Sequence, residues 1–105
     1  MRELVLAIDQ GTTGTTALLI DAKGGVRARG YAELPQYFPS AGWVEHDGEE
    51  IWSSVHEAVA AALDAAGVDG RAVAAIGITN QRETTLLWDR TTGTPVARPK
   101  ASISA

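Results

Sequence analysis

The stretch that decides the fold is AIDQGTTGTTALLID at residues 7–21, where an apolar run stops at Asp9 and resumes after a turn of glycines and threonines. The segment from Leu4 to Ile8 is short and almost wholly apolar, which predicts a strand covered on both faces. After the QGTTG turn, TTALLID predicts a second strand, and AKGG precedes a third over Val26–Leu34. Three strands with such short connections indicate an antiparallel meander.

A helix is predicted to begin after Asp47, because Asp47 with Glu50 three residues later fits an N-cap and its capping-box partner. Gly67 fits the position that follows a helix end. Between them, apolar residues recur at steps of three and four and predict one apolar face: Ile51, Val55, Val59, Ala62, Leu63 and Ala66. The preceding loop, PQYFPSAGWVEHD, carries aromatic residues that we expect to pack down.

The rest of the chain returns to strand patterns. AVAAIGIT predicts a strand that a crossover through the helix would place parallel to Leu4–Ile8. ETTLLWD and TPVAR, joined by RTTG, predict a hairpin. This order of elements is typical of an α/β domain with a mixed sheet.

Composition narrows the function classes. The chain has 105 residues, 45% of them hydrophobic, which suits one compact domain. A net charge of −4 without a basic stripe disfavours nucleic acid and anionic membranes as partners and favours small molecules. There is no cysteine, so a metal would be an oxygen-bound cation. No transmembrane stretch or signal peptide is recognisable, which predicts a cytoplasmic protein.

Polar clusters follow two of the predicted strands. Asp9 ends the first, and NQRE ends AVAAIGIT, so both clusters are expected at the edge of the sheet where α/β proteins bind ligands. In the turn, Gly11 permits a tight backbone while Thr12 and Thr13 offer N–H and hydroxyl donors to phosphate oxygens. Asp9 could hold a Mg²⁺ that neutralises the phosphates. Neither a Walker motif nor GxGxxG is present.

Other interpretations of these residues stay open. DQGTTGT can be a plain hairpin turn that Asp9 caps. Arg82 and Glu83 can be a solvated pair at a strand end, or a donor and an acceptor for neighbouring hydroxyls of a polyol. His46 fits a structural histidine with satisfied hydrogen bonds better than a catalytic one. The tryptophans at positions 43 and 52 fit packing better than ligand binding.

A resemblance to a known family is carried by four segments: AIDQGTTGTTALLID, GWVEHD, EIW and AIGITNQRETTLLWDRTTGTPV. Over about residues 3–98 they resemble the start of the glycerol kinases of the FGGY carbohydrate kinase family, in the superfamily of actin, hexokinase and the heat-shock ATPases. The resemblance implies the ribonuclease H-like half of a two-domain kinase. The implied reaction transfers the γ-phosphoryl group of ATP to a terminal hydroxyl of glycerol, with Mg²⁺.

The resemblance also implies roles for individual residues. Asp9 would lie near the Mg²⁺, and the turn of Gly11, Thr12 and Thr13 would face the transferred phosphoryl group of ATP. Arg82 would donate to the glycerol hydroxyls, and Glu83 would accept from them. For a full-length enzyme the family implies a homo-oligomer, with glycerol and ATP as partners and neither nucleic acid nor membrane.

Two departures from the family pattern qualify these expectations. Thr16 stands where the family commonly has Arg in GTTSSR, and PKASISA stands where the family continues with AIVWQDRRT, whose Trp helps line the glycerol pocket. We therefore expect residues 1–98 to be the first part of the first kinase domain and 99–105 to be an atypical, disordered tail. No residue of this chain is assigned as the catalytic base, and the chain alone is expected to be inactive. The alternatives are another sugar kinase of the family, an inert non-catalytic fragment, or an interaction module that pairs through its exposed sheet edges.

Overall fold

The computed structural model describes residues 3–81, 84–95 and 100–101. Within them, four longer strands form the main sheet, three two-residue strands form a second sheet, and one α-helix and one 3₁₀ turn connect them. In chain order these elements are β1 (Leu4–Gln10), β2 (Gly14–Ile20), β3 (Val26–Glu33), β4 (Val44–Glu45), α1 (Gly48–Ala66), the 3₁₀ turn (Gly70–Ala72), β5 (Val73–Asn80), β6 (Thr84–Thr85) and β7 (Lys100–Ala101).

The main sheet is mixed, with the strand order β3-β2-β1-β5. The pairs β1–β2 and β2–β3 are antiparallel, whereas β5 pairs with β1 in parallel after the chain has crossed through α1. This confirms both the meander and the parallel return strand. The short strands have the order β4-β7-β6. No helix in the described part of the chain is long and apolar enough to span a membrane.

The caps of α1 agree with the sequence. The Asp47 carboxylate accepts hydrogen bonds from the backbone N–H groups of Glu49 and Glu50 at 2.8 and 3.3 Å. Gly67 ends the helix in the left-handed conformation, with φ +68°. The Glu50 carboxylate, predicted as the capping-box partner, accepts a hydrogen bond from the Tyr37 hydroxyl at 2.5 Å and so ties the preceding loop to the helix.

The buried stripe of α1 differs from the predicted one. Its fully buried positions are small residues, Ser54, Ala58 and Ala62, while the bulkier apolar side chains beside them are only partly buried. The cause is Gly30 of β3, because a Cβ there would lie 2.6 Å from the backbone nitrogen of Ala62. The helix therefore lies with its backbone against β3, and large side chains have no room on that stripe.

The core lies between α1 and one face of the sheet. It is formed by alternate residues of the strands together with the small stripe of the helix: Leu4, Leu6, Ile8, Ala17, Leu19, Ala32, Ala58 and Ala62. Val5, which points to the opposite face of β1, is exposed, so the prediction that this strand is covered on both faces is wrong for the described residues. On β5, Ile76 and Ile78 are 59% and 70% exposed, because α1 covers mainly β2 and β3.

Three aromatic residues also depart from expectation. Phe38 and Trp43 of the loop before α1 are exposed, and so is Trp52 of the helix, although they were predicted to pack. The loop is held by His46, whose side chain has no exposed surface, and by the half-buried Tyr37, whose hydroxyl donates to Glu50. Local sequence marks these rings as apolar but does not say which of them faces a neighbour.

The predicted hairpin is present in a reduced form. Trp88 and Pro95 form an isolated antiparallel bridge, and the RTTG turn between them is closed by a hydrogen bond from Asp89 N–H to the Thr94 carbonyl at 2.8 Å. Residues 96–99 lie outside the described part of the chain. Of the predicted tail, positions 100–101 form β7, which pairs with β4 and β6, and the others lie outside that part.

Candidate functional site

The parallel pairing of β1 and β5 brings two polar strand ends together. Asp9 is the register partner of Thr79, and Gln10 is the partner of Asn80. The Thr79 hydroxyl donates a hydrogen bond to the Asp9 carboxylate at 3.2 Å. The expected meeting of the two clusters at one edge of the sheet is thus observed up to residue 81. Arg82 and Glu83, the predicted polyol ligands, lie outside the described residues.

The turn that follows β1, residues 11–14, has all of its backbone carbonyls engaged by the protein. Each carbonyl accepts at least one hydrogen bond, and both side chains and backbone N–H groups serve as donors. The shortest bonds are Gln10 Nε2 to Gly11 O at 2.8 Å, His46 Nε2 to Thr12 O at 2.9 Å, Leu34 N to Thr13 O at 2.9 Å, and Gly11 N to Gly14 O at 2.8 Å.

The engaged carbonyls determine where the N–H groups of the turn point. In a planar trans peptide the N–H lies opposite the preceding carbonyl, so the N–H groups of Thr12 and Thr13 are directed away from the donors that hold Gly11 O and Thr12 O. Both threonines are exposed. Within the part of the chain that the structure describes, neither N–H has a protein partner. Consecutive free N–H groups of this kind form a concavity that suits an anion.

Close approach of the chain explains a glycine at the end of this turn. A Cβ on Gly14 would collide with the Tyr31 hydroxyl and would lie 2.6 Å from the carbonyl oxygen of Ala32. The tight packing of the turn onto β3 therefore requires Gly14. The sequence predicted that glycine would permit a tight turn but did not identify β3 as the neighbour.

Asp9 lies on the sheet face opposite α1, between two hydroxyl-bearing neighbours. Its register partners are Thr16 on β2 and Thr79 on β5, and partners in adjacent strands share a face. The side chain of Asp9 is exposed. The described residues contain no group of three or more His, Asp or Glu side chains that could hold a metal ion. A cation at Asp9 would therefore take further ligands from a bound anion or from water, which is how Mg²⁺ binds beside phosphates.

Sequence reasoning missed a buried chain of amides on the other face. Gln81 Nε2 donates to Gln10 Oε1 at 3.2 Å, and Gln10 in turn donates to the Gly11 carbonyl. Thr84 donates its hydroxyl proton to Gln81 Oε1 at 2.9 Å. This series of hydrogen bonds links the end of β5 directly to the turn. A signal for Gln10 was available, since it follows Leu4, Leu6 and Ile8 at every second position and so falls on the buried face.

Asp69, which lies away from this edge of the sheet, has a pKa below its usual value. The Arg71 side chain donates hydrogen bonds to the Asp69 carboxylate and, with the Arg71 backbone N–H, lowers the pKa of Asp69. Both side chains are largely exposed, so this pair contributes little to stability.

Comparison with known proteins finds a matching family and related kinases. The family described as "FGGY family of carbohydrate kinases, N-terminal domain" matches residues 4–103. A glycerol kinase of Beutenbergia cavernae is 57% identical over 96 residues, which are 91% of this chain and 19% of that protein. The structure of Plasmodium falciparum glycerol kinase with ADP has a TM-score of 0.80 at 29% identity, covering 93% of this chain and 20% of that one. A xylulose kinase from Rhodospirillum rubrum, 23% identical with a TM-score of 0.83 over 93% of this chain and 20% of its own, shares the fold.

Proposed function

Because the chain belongs to the FGGY family of carbohydrate kinases, we propose that it forms the first part of an enzyme that transfers the γ-phosphoryl group of ATP to a terminal hydroxyl of glycerol. Its mixed α/β sheet is consistent with the N-terminal half-domain of the actin-like ATPase fold. The chain spans about a fifth of the length of the glycerol kinases that it matches. The observation that carries the proposal is the turn whose carbonyls are all engaged and whose Thr12 and Thr13 N–H groups are free of partners among the described residues.

In the proposed reaction, the turn binds the transferred phosphoryl group. The N–H groups and hydroxyls of Thr12 and Thr13 donate to its oxygens, and Gly11 lets the backbone approach it. Asp9 would hold Mg²⁺ together with the phosphates of ATP, and its single exposed carboxylate fits that role. The ion would neutralise charge on the phosphates and so favour transfer.

We propose that the residues that follow Gln81 bind the polyol. Arg82 would donate to the glycerol hydroxyls and Glu83 would accept from them, and the buried bond between Gln81 and Gln10 fixes the chain just before them. An oxygen–phosphorus bond forms at a terminal glycerol hydroxyl, and the bond from the γ-phosphorus to the bridging oxygen of ATP breaks. The hydroxyl proton is released, so the products are ADP, glycerol 3-phosphate and a proton. The described residues contribute positioning and charge, which dominate catalysis of this kind.

A chimeric enzyme tests the proposal. The matched N-terminal segment of the Beutenbergia cavernae glycerol kinase is replaced by that of this chain, and ADP release is measured with glycerol, a pentulose and gluconate. We expect glycerol-dependent turnover within about tenfold of the parent enzyme, since the segment keeps its turn and strand ends. The equivalent graft from the Rhodospirillum rubrum xylulose kinase controls for tolerance of a foreign segment. A folded chimera that prefers pentulose or gluconate would assign the segment to another branch of the family.

Thr16 supplies a prediction within the same chimera. Because Thr16 lies opposite Asp9 on the open face, the Thr16→Arg variant adds a guanidinium beside the proposed phosphates. We expect the KM for Mg·ATP to fall about fivefold, since a bidentate cation binds phosphate strongly. Thr16→Gln, which adds a shorter polar side chain with no charge, is the control and should leave KM nearly unchanged. Equal effects of Arg and Gln would show that charge at this position does not reach the phosphates.

A second candidate function is favoured by the free edge of β5. Among the described strands β5 pairs only with β1, its sequence VAAIGITN carries no charge, and Ile76 and Ile78 are exposed. Uncharged edges of this kind accept another strand. The candidate is therefore an interaction module in which two copies of the chain pair β5 with β5.

Light scattering during size exclusion distinguishes this candidate. Self-association predicts a concentration-dependent dimer of the 105-residue chain, which Ile78→Lys should convert to a monomer because a lysine protects an edge strand. Val26→Lys on β3, the opposite edge strand, is the matched control and should leave the dimer intact. A monomer at all concentrations counts against the module.

A further inference from the structure

We propose that His46 is a positioning residue for phosphoryl transfer, because it holds the peptide between Thr12 and Thr13 with its N–H directed toward the phosphate. This inference rests on the proposed phosphate-binding role of the turn. It concerns a side chain that the sequence pattern marked as structural and that does not itself touch the phosphate.

The contact joins residues far apart in the sequence, and its histidine side is fully buried. His46 Nε2 lies 2.9 Å from the carbonyl oxygen of Thr12, 34 positions earlier, and the His46 side chain has no exposed surface. A carbonyl only accepts hydrogen bonds, so Nε2 carries the proton in this contact. In the neutral ring, Nδ1 is then the unprotonated nitrogen.

The other nitrogen of the ring argues that this bond is the reason for the imidazole. Nδ1 of His46 is buried and has no hydrogen-bond partner among the described residues. A buried polar atom without a partner carries a free-energy penalty, which an apolar side chain of similar volume would avoid. A residue that only filled this space would therefore not be histidine. The bond from Nε2 to Thr12 O is the interaction that offsets the penalty.

The geometry of the peptide links this bond to the phosphate. With Thr12 O held by His46, the N–H of Thr13 points to the opposite side, where the turn is exposed. If this peptide rotated, the Thr12 carbonyl would replace the Thr13 N–H on the exposed side and would repel phosphate oxygens. His46 thus selects the donor face of one particular peptide.

The neighbours of His46 in the chain belong to ordered elements on both sides. His46 directly follows β4 (Val44–Glu45) and directly precedes Asp47, whose carboxylate caps α1. The ring therefore connects the turn to the N-terminus of the helix. This attachment gives the peptide a rigid support, which a loop side chain alone would not provide.

Two amide variants separate the donor from the rest of the ring. Glutamine places its side-chain NH₂ near the position of imidazole Nε2 and can reach Thr12 O, whereas asparagine places it near Nδ1, which has no partner among the described residues. Sodium tripolyphosphate is titrated into the isotope-labelled 105-residue chain, and the amide signals of Thr12 and Thr13 are followed by NMR. We expect His46→Gln to bind within about threefold of the unmodified chain and His46→Asn to bind at least about tenfold more weakly. His56→Gln, on the exposed side of α1, is the control and should bind normally.

A second measurement does not depend on binding. Without ligand, the Thr13 amide shift and its hydrogen exchange should match the unmodified chain in His46→Gln and change in His46→Asn. If the unmodified chain does not respond to tripolyphosphate, the phosphate-binding function fails while this measurement still tests the role of His46. Equal behaviour of the two amide variants in both measurements overturns the proposal. If His46→Asn does not fold, a disturbed turn in His46→Gln overturns it as well.

Discussion

The Gly30→Ala variant is expected to lose about 3 kcal/mol of unfolding free energy, although it adds only one methyl group. At Gly30 an added Cβ would collide with the carbonyl oxygen of Ala58 and would lie 2.6 Å from the Ala62 nitrogen and 3.0 Å from the Ala61 Cβ. Two of these atoms belong to the helix backbone, which cannot rotate aside as a flexible side chain does. Relief of the overlap therefore requires α1 to move away from the sheet.

Movement of α1 has a second cost that enlarges the effect. The hydroxyls of Thr15 on β2 and Ser54 on α1 share a hydrogen bond of 2.8 Å, and both side chains are buried. Ser54 also donates to the carbonyl of Ile51 at 2.9 Å, so its proton is used there and Thr15 is the donor in the shared bond. A displaced helix would leave the Thr15 hydroxyl buried without a partner, which costs about 1–3 kcal/mol.

Urea unfolding followed by circular dichroism measures the loss. Gly77→Ala is the matched control, since Gly77 also lies inside a strand of the main sheet but a Cβ added there would meet no neighbouring side chain or strand within 4 Å. Alanine there should leave stability unchanged or raise it by about 0.5 kcal/mol through the lower entropy of the unfolded chain. If both variants lose the same free energy, the close approach of α1 to β3 is not what Gly30 serves.

The contact between Gly30 and α1 shows which parts of the fold the sequence can predict. The strands of the meander and both helix caps follow from local signals, because strand periodicity, Asp47 and Gly67 act through near neighbours. The parallel direction of β5 follows from the helix that separates it from β1 in the chain. The buried stripe of α1 does not follow from such signals. It depends on Gly30, which lies 24 residues before Ser54 in the chain and whose missing side chain favours small residues on the helix.

The candidate site divides in the same way. Asp9 and the glycines of the turn are visible in the sequence, since a carboxylate and a tight turn at a strand end are local features. Two of the donors that hold the carbonyls of the turn are not visible in the same way, because His46 and Leu34 come from distant segments. The roles of Arg82 and Glu83 stay predictions from the family resemblance.

The Asp9→Asn variant of the chimeric kinase is expected to lose at least about 100-fold in kcat/KM for Mg·ATP, since the proposed Mg²⁺ would lose its anionic ligand. Asparagine has nearly the same shape, and its Oδ1 can still accept the bond that the Thr79 hydroxyl donates to Asp9. The unfolding free energy of the 105-residue chain should therefore change by less than about 0.5 kcal/mol. The two measurements together assign the loss to chemistry and not to folding.

Thr79→Val is the control for this variant, because it removes the bond at Asp9 and keeps the carboxylate. If orientation by Thr79 were the main requirement, both variants would lose activity to a similar degree. If charge is the requirement, Thr79→Val should lose only about threefold, and added Mg²⁺ should partly restore Asp9→Asn through a higher ion concentration. A fully active Asp9→Asn enzyme would remove Asp9 from the proposed cation site and leave the N–H groups and hydroxyls of the turn as the whole of the phosphate-binding contribution of this segment.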